Sequence, residues 1–138
     1  MGIQFGHAVV EYGQMVRGYD EHELPYNQFA KYDKTFIILN GGTTNNNSNS
    51  LGSMQLYTQE LIDNKITIAT FHEPDLNDAL TAVVFLVDER VWDKIKYPDF
   101  IPDLLNYEDV TKYKDWVDKI GGEKNIFLRN FLSNLKLA

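Results

Sequence analysis

The sequence has no cysteine, and its 138 residues include only three histidines. Disulfide frameworks, thiolate zinc sites and thiol catalysis are thereby excluded. His7, His22 and His72 are spread without metal-ligand spacing, and Leu76 occupies the position where His72-Glu73 would need a second histidine to make a zinc-protease motif. Basic residues are scarce too: 13 Lys and Arg stand against 20 Asp and Glu, a net charge of −7. Proteins that grip a nucleic-acid backbone show the opposite balance, because phosphate neutralisation supplies most of their affinity. tRNA is therefore a disfavoured partner. The longest apolar run, Ala82 to Val87, falls far short of the ~20 residues of a membrane span. No basic-then-apolar leader opens the chain. No lysine lies between Gly41 and Gly52 to make a phosphate-binding loop, and Asp75, Asn77 and Asp78 lack the register and glycine of a calcium loop. These absences point to a cytoplasmic protein, in a host cell if phage-encoded, with no membrane partner, no metal and no cofactor.

What is present suits a compact core, with 43% hydrophobic and 13% aromatic residues. Phe5, Val9, Tyr12 and Val16 recur at helical spacing, giving a helix over 2–17 that Gly18, Asp20 and Pro25 interrupt. A helical turn around Tyr26 to Lys31 follows. Thr35 to Leu39 is short, continuous and β-rich, and predicts a strand buried on both sides. After the polar stretch Gly41 to Ser50, a helix over 51–63 is capped by Ser50 or Ser53 and buries Met54, Tyr57 and Leu61. Ile66 to Phe71 and Leu80 to Val87 read as two further strands, antiparallel or adjacent because their link is short. The fold class is α/β: a small mixed β-sheet packed by helices over residues 1–93, with a helical extension over 94–138. In the extension, Val110, Tyr113, Val117 and Ile120 form one stripe, closed by Gly121-Gly122. Phe127, Leu128, Phe131, Leu132 and Leu135 make the next helix apolar nearly all round, so either the core or a second subunit must cover it. A homo-oligomer is the expectation.

Three groups of residues carry candidate chemistry. His7 and Glu11 are one helical turn apart and can share a proton, and Gln4 lies one further turn back; they form either a ligand-reading corner or a capped histidine at the core edge. Glu73, Asp75, Asn77 and Asp78 surround Pro74, a pattern that makes a turn and also offers acceptors to ribose hydroxyls or a base edge. Thr43, Thr44 and Asn45 are neutral donors just before a helix N-terminus; they belong either to a plain surface connection or to a clamp on an anion.

Gln4-Phe5-Gly6-His7-Ala8 resembles the helix-opening signature of the peptidyl-tRNA hydrolases of the archaeal and eukaryotic type. Phe71-His72-Glu73-Pro74-Asp75-Leu76-Asn77-Asp78-Ala79-Leu80-Thr81-Ala82 resembles a run in that family's shorter, phage-type members. The resemblance covers residues 2–87 and implies a peptidyl-tRNA-hydrolase-like core. In the family the catalytic lysine stands four places before that glutamine, preceded by a first strand, and both positions would fall before Met1. The resemblance therefore implies a binding protein that captures a small nucleotide without cleaving it, such as an anti-defence sponge for a cyclic-nucleotide immune signal. The alternative is a peptidyl-tRNA or nucleotide-signal hydrolase in which His7 is the acid or base and Glu11 or Asp75 orients it.

Overall fold

The computed structural model describes residues 2–102 and 109–138. Along the chain run α1 (Gly2–Met15), α2 (Asp20–Gln28), a π-helical turn (Phe29–Asp33), α3 (Ser53–Asp63), β1 (Ile68–Glu73), a 3-10 turn (Pro74–Leu76), β2 (Ala79–Phe85), α4 (Glu89–Trp92), α5 (Asp109–Ile120) and α6 (Glu123–Ser133). They form two compact units, Met1–Leu86 with Lys136–Ala138, and Val87–Leu135. The boundary expected after residue 93 falls inside the second of these, just past α4. No helix of the described residues is long and apolar enough to cross a membrane.

In the first unit, α1 packs across an antiparallel β1–β2 hairpin. The helical stripe read from the sequence is the packed face: Tyr12 and Val16 are buried with Ala69 of β1, and Tyr26, Val84 and Leu86 close around them. Rings extend this core in a closed path. Tyr12 lies 6.0 Å from Tyr26, Tyr26 6.1 Å from Phe29, Phe29 5.2 Å from Phe36, and Phe36 5.1 Å from Phe5, back on α1. Each such pair adds about 0.5–1.5 kcal/mol beyond the area it buries.

Several expected elements change here. The sheet is a two-stranded antiparallel one rather than mixed, because residues 35–39 do not join it. That segment's single bridge is Leu39 to Leu137, and Phe36, Ile37 and Ile38 are 41–51% exposed. An apolar run specifies burial only if a strand pairs beside it, and here the ring of Phe36 is recruited into the aromatic path instead. The helix expected from Tyr26 already starts at Asp20, since Asp20, Glu21 and Glu23 in its first turn favour a helix N-terminus. Pro25 sits within it, giving up a single backbone bond. On α3, Leu61 is fully buried, while Met54 and Tyr57 are only partly so.

In the second unit, Gly121 and Gly122 adopt φ of 99° and 96°, which lets the chain leave α5 and enter α6 without the penalty a side chain would carry. Asn125 donates from its amide to the Ile120 carbonyl at 2.8 Å, satisfying the end of α5. Leu128, Phe131 and Leu132 are buried within the single chain. The greasy helix that pointed to a second subunit thus already has a cover. Arg129, only 4% exposed, donates to Asp99 at 2.9 Å and to the Arg90 carbonyl at 2.6 Å. Of the α5 stripe, Ile120 is buried but Val110 is 67% exposed.

Burial holds the Tyr12 hydroxyl above the usual phenol range, partly offset by a hydrogen bond with the Leu86 backbone. A group whose folded pKa is raised supports the fold fully below the unfolded value, near 10 for tyrosine, and loses that support as pH climbs through the folded value. Tyr12→Phe should therefore cost about 0.5–1.5 kcal/mol near neutral pH. In denaturant titrations across the alkaline range, the variant's stability should fall less steeply above about pH 10 than the parent's.

Candidate functional site

Two residues of strand advance about 6.6 Å, close to the ~6 Å that four residues of helix advance. Side chains on one face of β1 therefore meet α1 at nearly regular intervals. Ala69 packs on Tyr12 and Val16, Phe71 on His7, and Glu73 on Gln4, so α1 runs antiparallel to β1. A bulge opposite Phe71 and His72 puts the extra residue, Thr81, in β2, so the alternation along β1 survives. Thr81 donates to the Phe71 carbonyl at 3.3 Å.

The helix and hairpin thus bring two distant sequence segments together. Gln4 donates from Nε2 to the Glu73 carboxylate at 3.3 Å. A carboxylate only accepts, so the amide nitrogen must face Glu73 and Oε1 must point the other way. That oxygen is buried and, among the described residues, has no hydrogen-bond partner. His7 is exposed and sets its ring edge-on to Phe71, with centroids 4.5 Å apart. Among the described residues His7 and Glu11 share no hydrogen bond; both face solvent. The expected proton-sharing pair is not assembled.

Asp75 lies in the exposed 3-10 turn and Asn77 just beyond it. Asn77 and Asp78 have φ of 53° and 58°, the left-handed conformation that Asn and Asp tolerate best among non-glycine residues. Their identities thus serve the reversal from β1 into β2. Glu73, the last residue of β1, is the member of this group that reaches α1.

The segment 41–52 is tied down by the helix it precedes. Thr43 Oγ1 accepts from the Ser53 amide at 3.2 Å, and the Thr43 carbonyl from the Met54 amide at 2.9 Å. The Asn45 carbonyl accepts from the Gly52 amide at 3.0 Å. Ser53 Oγ in turn accepts from the Thr43 amide and donates to the Gly41 carbonyl. Gln55 accepts from the Asn45 amide and donates to Thr44 Oγ1 at 2.7 Å. The cap comes from Thr43 rather than from Ser50 or Ser53, and the first two helix amides, Ser53 and Met54, are bonded by the chain itself. Among the described residues, no hydrogen bond links Thr43, Thr44 or Asn45 to Gln4, His7 or Glu73.

No three His, Cys, Asp or Glu side chains among the described residues converge to hold a metal ion. Phe71 is the participant that sequence reasoning missed. Its signal was the alternation Ala69, Phe71, Glu73 set against the four-residue spacing of Gln4, Ala8 and Tyr12. No protein-family model matches the chain, and no curated protein or solved structure matches it either.

Gly52 lets the loop approach the helix: a Cβ there would lie 2.5 Å from the Thr43 carbonyl oxygen and 2.6 Å from the Asn45 nitrogen. Gly52→Ala should cost about 1–3 kcal/mol, the usual cost of overpacking. Hydrogen exchange at the Thr43 and Asn45 amides should speed up at least tenfold, with exchange in β1 unchanged.

Proposed function

We propose that this chain is a small-ligand capture protein that holds a nucleotide through its nucleoside part and does not cleave it. The observation that carries this reading is the Gln4 carboxamide. One end is bonded to Glu73, and the other is a buried acceptor with no partner among the described residues. An unmet buried acceptor costs about 1–3 kcal/mol, so a ligand N–H or O–H that reaches it recovers that cost. The bond to Glu73 is long at 3.3 Å, so the side chain can turn toward such a donor cheaply. Glu73 supplies a second acceptor, and the exposed His7 ring on Phe71 supplies a face on which a base can stack.

Acceptors beside an aromatic face suit the amino edge of a base or a ribose hydroxyl, and they suit a phosphate poorly. The Ser53 and Met54 amides at the start of α3, open to a phosphate in principle, are already bonded to Thr43. Binding rather than hydrolysis is favoured because, among the described residues, His7 makes no hydrogen bond to a carboxylate that would orient it. In the same reading the chain is a phage-type relative of the peptidyl-tRNA hydrolases. It works as a sponge for a nucleotide signal, a cyclic one among the candidates.

Native mass spectrometry of the protein, alone and after exposure to a nucleotide-rich extract from infected cells, tests this. The expected result is an added mass of several hundred daltons at fixed stoichiometry, released intact on denaturation. Gln4→Leu, which keeps the volume but removes both polar atoms, should weaken capture about tenfold or more while leaving the far-ultraviolet circular dichroism unchanged. Bare subunits after exposure, or recovery of a cleaved product, would overturn the proposal.

A further inference from the structure

Toward the C-terminal end of α1, one to three turns beyond His7, a half-open cleft of about 260 Å³ lies between the helix and α2. Val10, Gln14 and Arg17 line one side of it, Glu23 and Tyr26 the other. Its floor depends on Gly13, since a Cβ there would fall 2.5 Å from the Tyr26 hydroxyl oxygen. Only a residue without a side chain lets the Tyr26 ring lie this close to α1.

Two opposite charges line this cleft. Arg17 makes no ion pair among the described residues, although the chain is rich in acids. Glu23 accepts from the Gly18 amide through Oε2 at 2.9 Å, which anchors the carboxylate, and among the described residues Oε1 has no hydrogen bond. One cleft thus presents a guanidinium and a carboxylate that do not meet each other. A ligand of a single charge would satisfy one and be repelled by the other; a ligand carrying both charges satisfies both. The volume lies under the roughly 300–1,000 Å³ of sites for drug-sized ligands, which limits the occupant to a small molecule. Val10 and the Tyr26 ring offer an apolar wall to its side chain.

We propose that this cleft binds a small zwitterion of the amino-acid type, with Arg17 gripping the carboxylate through its two parallel N–H groups and Glu23 holding the ammonium group. The site is independent of the nucleotide reading. Because both charges are near solvent, the affinity is modest, with a Kd on the order of 1 mM.

The test is an NMR titration of the full chain with three ligands. L-phenylalanine carries both charges, N-acetyl-L-phenylalanine only the carboxylate, and L-phenylalaninamide only the ammonium. The expected outcome is saturable shifts at Val10 and Tyr26 with phenylalanine, and at least tenfold weaker binding of each capped form. Arg17→Gln should erase the preference for phenylalanine over the amide, and Glu23→Gln the preference over the acetylated form. Absence of saturable shifts up to tens of millimolar, or equal binding of all three ligands, would overturn the proposal. So would a folded Arg17→Gln protein that binds phenylalanine as the parent does. If either variant fails to fold, the three ligands on the parent chain decide the matter alone.

Discussion

The first unit depends on how α1 lies along β1. Tyr12, Val16 and Ala69 fix that lie by burying together, and an aromatic side chain of this size contributes roughly 1.5–3 kcal/mol when taken from water. Once this contact is made, the pitches of helix and strand leave little freedom in the remaining pairings. Phe71 must come opposite His7, and Glu73 opposite Gln4. A slip of one residue in β1 would turn Ala69, Phe71 and Glu73 to the far face and expose Thr70 and His72 to the helix. The polar pair at the end of the hairpin is therefore positioned by apolar contacts nearly a helix-length away.

The same economy explains why the polar loop is tied to the start of α3. Residues 41–52 have few apolar side chains to anchor them, so they are held by hydrogen bonds to the start of α3. A helix N-terminus offers unbonded amides that something must satisfy. An external anion is one solution, but a neighbouring Thr and Asn are always present at high local concentration. In a chain of net charge −7, where diffuse repulsion works against anions, the internal partner wins.

Much of this fold was legible in the sequence. The stripe Phe5, Val9, Tyr12, Val16 marked the packed face of α1, the short polar link predicted an antiparallel hairpin, and Gly121-Gly122 marked the end of α5. These signals are local, and periodicity or turn chemistry reports them directly. The fate of Thr35 to Leu39 was not local, because whether an apolar run becomes a strand depends on which edge reaches it. The greasy pattern of α6 was equally ambiguous, since sequence shows that Phe131 and Leu132 need a cover but not what provides it. For the candidate site, Gln4, His7 and Glu73 were legible one by one. Their apposition, and the part of Phe71, required knowing that α1 crosses β1 antiparallel. His7 with Glu11 was a helical-wheel inference, and β1 drew the histidine toward Phe71 instead.

The two buried side-chain atoms without partners among the described residues, Gln4 Oε1 and Arg129 Nε, carry different meanings. Arg129 is explained by the fold around it. Its two terminal nitrogens bond Asp99 and the Arg90 carbonyl, and Asp99, held below the usual carboxylate range by that guanidinium, completes a strut between α6 and residues 90–99. One unmet Nε is the residual cost of an otherwise satisfied group. Gln4 has no comparable structural employment. Its one bond is long, and its partner Glu73 lies at the edge of the hairpin rather than in the core. An apolar side chain of similar volume would cover the same surface without the desolvation cost of a carboxamide. A chain that departs from local consistency where the fold gains nothing does so where something else is selected. That asymmetry between the two orphans is why Gln4, and not the deeper arginine, is the candidate for a ligand contact.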